Sequence, residues 1–397
     1  MKEDDFLKQL ARYTFLIMLV CICIAVAWNN KVEQKKTPEE IAKEQLIKEG
    51  TQVLELPAAT PTPQLIQAVE HGGHADETEV WEVWQFVDAD NMEGLLEKIG
   101  ENCILIKKPE GTCAYSVEED PVNLTLRFYM KHRSEYLSPA SVLRVSNGEF
   151  FYGMPEPSET VSGFDVLNYE VDCKVSELVF TTENYLTMQI EEEDEYYIVN
   201  LVPHKEVYDK LIVLDAGHGG KDPGTGANDY EIKESDIALQ MMLYLKDMLE
   251  EETDIKVLCT RTTDVSLQLS ERVDLALGVD ADLFISFHCN GSENKKSNGT
   301  SVLYNRLQGE GEEFNSRSFA FICLHNLVDA LGTKSNGIYN RQDLHIVRRA
   351  TMPVVLLEVA YLSNDKNLEM ILETENQQKA ARAIFDSIME AYEEMGQ

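Results

Sequence analysis

The sequence predicts an α/β domain, a mixed and mostly parallel sheet flanked by helices. Before it the sequence predicts a mostly β, sandwich-like domain and an N-terminal transmembrane helix. Three observations predict this. Across residues 208–397, short apolar runs alternate with stretches whose apolar residues recur at helical spacing, the pattern of strands and helices laid down in turn. Across residues 80–207 the period falls to two, which marks half-buried strands. Residues 13–28 form an uncharged apolar run.

That run, YTFLIMLVCICIAVAW, is slightly short of the ~20 residues a spanning helix needs. Its end, Ala25, Val26 and Ala27, has the small-x-small form of an export-signal cleavage site. No polar segment separates that site from the apolar run, however, and Trp28 suits a membrane interface. A retained anchor over residues 13–28, preceded by a short cytoplasmic segment at 1–12, is therefore the expectation. A cleaved signal is the second reading and a buried core helix a poor third. Either of the first two places the bulk of the chain outside the cytoplasm.

Residues 29–79 are polar, then rich in Ala, Thr and Pro (Pro57, Pro61, Pro63), and read as a flexible linker. His71 and His74 flank two glycines there and read as solvated loop. In residues 80–207, Leu124, Leu126, Phe128 and Met130 alternate with Thr125, Arg127 and Tyr129. Leu186, Met188 and Ile190 do the same, and a short helix is expected near 91–99. Its lone histidines, His132 and His204, read as ordinary surface residues. Cys103 and Cys113 flank a KKPEG turn, and either a hairpin disulfide or two unpaired thiols fits.

The chain of 397 residues carries 70 acids against 35 bases, a net charge of −35. Nucleic acid is excluded as a partner, because phosphate binding needs clustered Lys and Arg. Docking on an anionic membrane surface is disfavoured for the same reason.

Within 208–397, apolar strands are expected at 211–214, 256–259, 282–287 and 353–357, with helices at 234–252, 269–277, 314–331 and 376–394. Three of the strands run into ionisable residues: DAGHGG at 215–220, HCN at 288–290 and Glu358. In open α/β sheets the carboxyl ends of strands form the ligand crevice, so His218, His288 and Glu358 converge there. Glu234 opens the helix after the glycine turn and can fold back over the same place. Two histidines and a carboxylate form a ligand set for catalytic zinc, with one position open for water, and a further carboxylate can move the proton. Ordinary polar residues at strand ends remain the alternative. A phosphate loop fails, because GGKDPG at 219–224 lacks the required spacing and Asp222 would repel phosphate.

The string LDAGHGGKDPG at 214–224 resembles the opening motif of the zinc-dependent N-acetylmuramoyl-L-alanine amidases of the Amidase_3 family. ESDIAL at 234–239, TRTTD at 260–264 with LSER at 269–272, ADLFISFHCN at 281–290 and MPVVLLEVAYLSN at 352–364 follow in the family's order. The resemblance covers about half the chain. It implies a bacterial hydrolase acting on peptidoglycan, with Zn2+ held by His218, Glu234 and His288 and Glu358 as catalytic base. The bond cut would be the amide between N-acetylmuramic acid and L-alanine. Asn290, Arg272 and His345 are weaker expectations for substrate contact, with structural roles as the alternative. Ala216 stands where the family usually has Pro, and Ala360 with Tyr361 where Gly-Phe is common. The helix at 314–331 reads as the family's standard one, so no built-in inhibitory helix is expected.

The β-rich domain resembles, in position and architecture, modules that accompany such amidases, and a cell-wall-binding role is expected of it. A catalytically silent binding or regulatory module, and a hydrolase of another amide, are the rival functions. A division or sporulation partner is left open.

Overall fold

A computed structural model of the protein describes residues 64–69, 103–112, 114–133, 136–138, 141–146, 149–152, 161–170, 174–227, 232–309, 311 and 313–396. All belong to one unit, Thr62–Gln397. The apolar run at 13–28, the helix expected near 91–99, His71, His74 and Cys113 lie outside the described residues. Among those described, no helix is long and apolar enough to cross a membrane.

Ten strands build the β-rich part: β1 (Gln64–Val69), β2 (Cys103–Lys107), β3 (Ala114–Asp120), β4 (Thr125–His132), β5 (Val142–Ser146), β6 (Glu149–Tyr152), β7 (Val161–Glu170), β8 (Lys174–Thr182), β9 (Leu186–Glu192) and β10 (Tyr196–Pro203). They form two five-stranded antiparallel sheets, β1-β7-β8-β4-β3 and β6-β5-β2-β10-β9. Ile104, Ile106, Phe128, Phe180, Tyr197 and Val199 come from both sheets and share one core, the sandwich arrangement.

Three particulars depart from the sequence reading. Strand β1 lies in the stretch read as linker and pairs with β7. Leu124, expected to open the alternation, ends a turn at φ 50° instead, and the strand begins at Thr125. His132 and His204, expected at the surface, are buried. His132 follows Leu126, Phe128 and Met130 on the inward face of β4, where burial and nearby Lys174 push it down to about 4. Cys103 is a buried free thiol.

The α/β part contains β11 (Leu211–Ala216), β12 (Gly226–Ala227), β13 (Ile232–Lys233), β14 (Lys256–Cys259), β15 (Leu283–Asn290), β16 (Thr300–Tyr304), β17 (Ser335–Asn340) and β18 (Val354–Tyr361). Its helices are α1 (Glu234–Glu252), α2 (Leu269–Gly278), α3 (Ser316–Leu331), α4 (His345–Arg349), α5 (Asp365–Leu372) and α6 (Thr374–Glu394). The main sheet runs β14-β11-β15-β18-β16-β17. Strands β14, β11, β15 and β18 are parallel, and β16 runs antiparallel to β18. Both faces are covered. Ile212 and Leu214 join the core under α1, α3 and α6, while Leu211 and Val213 join the one under α2 and α4. A strand buried on both sides reads as a continuous apolar run, which is how residues 211–214 stand out in the sequence.

Helix ends follow local chemistry. Asn315 caps α3 by accepting from the Arg317 and Ser318 N–H groups, and Gly332 ends it at φ 62°. Gln268 and Glu271 make a reciprocal capping box on α2. Strands β16 and β17 and helices α4 and α5 carry no periodicity long enough to be read from sequence.

The two parts dock through the amino ends of the parallel strands. Lys256 opens β14, Asp282 immediately precedes β15, and Leu211 opens β11. Lys205 Nζ lies 2.6 Å from Asp282 Oδ1, and Leu211 N donates to Asp282 Oδ2 at 2.7 Å. Tyr185 and Tyr208 pack against the core beneath α2.

Candidate metal centre and active site

The loop after β11 turns sharply, and it does so on glycine and one histidine. His218 sits at φ 60°, Gly219 at 120° and Gly220 at 60°. A left-handed conformation costs a non-glycine residue roughly 1–2 kcal/mol. It is held here by a buried scaffold. Arg272 Nη2 donates to the His218 carbonyl at 2.6 Å, and Arg272 Nη1 reaches Asp215 Oδ1 and the Ala216 carbonyl, both at 2.7 Å. Arg261 donates to the carbonyls of Ala216, Gly217 and Ser235 at 2.8–2.9 Å. Asp215 is fully buried and also accepts from Thr260 and Ser286. Burial acts to raise its carboxyl, but Arg272 and the two hydroxyls hold it below the usual range.

On this scaffold three side chains converge. Glu234, the first residue of α1, turns back toward the loop. Its Oε1 lies 3.1 Å from His218 Nε2 and 2.8 Å from His288 Nδ1, and one ligand atom from each of the three lies within 4.8 Å of the others. The Cys289 N–H donates to Glu234 Oε1 at 3.0 Å and the Thr225 N–H to Oε2 at 2.7 Å. The imidazoles of His218 and His288 meet edge to face with centroids 4.8 Å apart. Burial pushes Glu234 up, yet its bonds to the two histidines outweigh that and hold it far below the usual carboxylate range. Burial acts to lower His218, but Glu234 and Asp222 raise it to about 9. Close approach needs glycine: a Cβ on Gly217 would lie 2.2 Å from His288 Cε1, and one on Gly224 would lie 2.5 Å from Glu234 Oε2.

Asp222 Oδ2 lies 2.8 Å from His218 Nδ1. The other ring nitrogen is thereby left to face Glu234, the orientation a carboxylate imposes on a metal-binding imidazole. Two nitrogen donors and one carboxylate oxygen held this close together fit Zn2+.

Glu358 lies beside His288 on the neighbouring strand, the two being register partners in β15 and β18. Its Oε2 is buried without a hydrogen-bond partner, an expensive arrangement for a carboxylate. Burial pushes it up to about 7, Glu234 adding to this while His288, His218 and Arg341 oppose it.

The remaining expected residues are placed as follows. Arg272 is buried under the loop and bonds to the backbone there. Asn290 ends β15, its carbonyl accepting from the Leu362 N–H at 2.9 Å. His345 opens α4, with its Nε2 buried and unpartnered. Cys289, next to a ligand, points into the opposite core. Asp215, Asp222 and Arg261 were not anticipated, although charged residues bracketing apolar strands in DAGH and TRTTD are the visible trace of them.

The family model of N-acetylmuramoyl-L-alanine amidases matches residues 212–390. The uncharacterized protein YqiI of Bacillus subtilis (strain 168) is 34% identical over 185 residues, covering 47% of this chain and 86% of YqiI. The endolysin of Bacillus phage SPP1 is 34% identical over 155 residues, covering 39% of this chain and 56% of the endolysin. Among solved structures, the catalytic domain of the amidase CwlV from Bacillus (Paenibacillus) polymyxa var. colistinus is 35% identical. It covers 46% of this chain and 98% of that domain, with a TM-score of 0.43. The motifs, the three converging ligands and the sequence matches agree, and the chain belongs to the N-acetylmuramoyl-L-alanine amidase family.

Proposed function

We propose that this protein is a bacterial, membrane-anchored peptidoglycan hydrolase whose catalytic domain works outside the cytoplasm. It cuts the amide between N-acetylmuramic acid and L-alanine. The observation that carries the reading is the convergence of His218, Glu234 and His288 beside Glu358, whose Oε2 is buried and unpartnered. A complete ligand set with that carboxylate disfavours a catalytically silent module.

His218, Glu234 and His288 would hold zinc, which would supply Lewis acidity toward the scissile carbonyl and the attacking water. Glu358 takes the water's proton and returns it to the departing L-alanine amine, a task suited to a carboxyl near neutrality. Asp222 fixes the His218 ring, and Arg272 fixes the backbone that carries it. Residues 13–28 supply the anchor, and the β sandwich binds cell wall. A division or sporulation complex is the setting such an anchored hydrolase fits.

The test is digestion of purified sacculi by the zinc-loaded protein, read as new L-alanine amino termini. Release should stop with chelator and return with zinc. Glu358→Gln should lower kcat by about 10²–10⁴ while zinc stays bound at one equivalent. Undiminished release by that variant would remove Glu358 from the chemistry.

A further inference from the structure

Alternation along a strand decides which side chains share a face with Glu358. On β18, Val354 and Leu356 face the core beneath α2 and α4, and Glu358 continues that face. Val359 and Ala360 both join the opposite core, and the register slips there. Glu358 stands beside His288, but Tyr361 stands beside Asn290. Such a bulge re-aims the residue that follows it. Tyr361 therefore returns to the face of Glu358, one row nearer the carboxyl pole.

Its backbone is fixed on three sides. The Tyr361 N–H donates to Asn367 Oδ1 at 3.2 Å, and its carbonyl accepts from the Asn364 N–H at 3.1 Å. The next N–H, that of Leu362, donates to the Asn290 carbonyl at 2.9 Å. Burial raises the Tyr361 hydroxyl, and Glu358 and Tyr339 raise it further, which agrees with a ring lying among them.

The row of Glu358 continues outward through Ser301 on β16 and Gly337 on β17. Both residues are small, and a Cβ on Gly337 would meet nothing within 4 Å. Tyr339 pairs with Leu303, which faces the same core as Leu356. Its exposed ring leans back along β17, where the hydroxyl donates to the Asn336 carbonyl at 2.7 Å, beside Gly337 and level with Glu358. The two tyrosines thus flank a strip of small residues that leads away from Glu358 across two strands, roughly 10 Å at the usual strand spacing.

The direction of the reaction assigns the strip an occupant. Glu358 passes its proton to the departing amine, so the peptide carried by that amine leaves on the Glu358 side of the metal ligands. His218 follows β11, the strand on the far side of His288. Strands β18, β16 and β17 lie on the near side. An extended peptide spans about 3.4 Å per residue, so the strip receives the residues next after L-alanine.

Resting on the amidase reading above, we propose that Tyr361 and Tyr339 are specificity residues that receive the departing stem peptide, their rings packing on its second and third residues. The enzyme thereby favours an extended stem over a lone L-alanine.

The experiment uses the zinc-loaded full chain and two soluble substrates, N-acetylmuramoyl-L-alanine and the N-acetylmuramoyl tripeptide. The wild type should favour the tripeptide by at least about tenfold in kcat/KM, the scale set by covering an aromatic ring. Tyr361→Ala and Tyr339→Ala should each cut that ratio by about threefold or more with zinc still bound at one equivalent. Tyr361→Phe, which keeps the ring, should retain it. Tyr339 is exposed, so its substitution reads the same strip should Tyr361→Ala not fold. Equal cleavage of the two substrates by the wild type, or a ratio that survives either alanine substitution, overturns the assignment and leaves the amidase reading standing. No cleavage of either substrate or of sacculi removes the amidase reading, and this inference with it.

Discussion

Glu119 of the β sandwich and Lys256 at the start of β14 are ion-paired at 2.7 Å across the junction of the two parts, and both are largely buried. Thr187 and His204, from the sandwich side, also hydrogen-bond this carboxylate. Burial alone would raise Glu119, but these partners together bring it to about 2.

The pair predicts a mutational effect and an acid sensitivity. Glu119→Ala takes the carboxylate partner from a half-buried Lys256 and should destabilise the protein by about 2 kcal/mol, read from urea unfolding. A group depressed in the folded state stabilises fully above its unfolded value, here 4.5, and that contribution fades as pH falls toward 2. The wild type should therefore lose stability between those values, and the variant should lose less over the same range. Equal losses would show that Glu119 does not govern the acid limb.

Asp222 holds the His218 ring through Oδ2, while its Oδ1 accepts from the Gly224 N–H at 3.0 Å. Asp222→Asn should weaken zinc binding by about 10- to 100-fold with little change in Tm, measured by competition with a chromophoric chelator. Unchanged affinity would mean that the loop backbone alone orients the ring.

Gly217 tests the tightness of the site. Its Ala variant places a methyl within 2.2 Å of the His288 ring, so either the ring or the loop must move. Activity should fall by at least about 100-fold, the scale of a 1 Å misplacement, and stability by roughly 1–3 kcal/mol. Activity near that of the wild type would show that the loop yields freely.

Arg272 separates a structural role from contact with substrate. Arg272→Met strips a fully buried Asp215 of its counter-charge and should cost about 3–5 kcal/mol. Any protein that still folds should show lowered zinc affinity, because the His218 carbonyl loses its donor. A raised KM at unchanged stability and zinc affinity would return Arg272 to the substrate.

Much of the site was legible before the fold. His218, His288 and Glu358 each follow a run of apolar residues, and strands buried on two faces announce their own ends. Glu234 could be read because it opens a long amphipathic helix. What stayed hidden depends on distant pairing. Glu119 lies in AYSVEED, which looks like a solvated face, and only the approach of residues 204 and 256 makes it a buried junction. His132 looked solitary because a strand's inward face is not marked by histidine. Strand β17, SNGIYN, is short, contains Asn and Gly, and takes its place by pairing with β16.

The sandwich grips the amino ends of the parallel strands, while the ligands stand at their carboxyl ends. Strand β11, six residues from the junction to the histidine loop, is thus a spacer of roughly 20 Å. Whatever the site cuts must therefore approach from the pole that faces away from the sandwich, about one strand length from the junction.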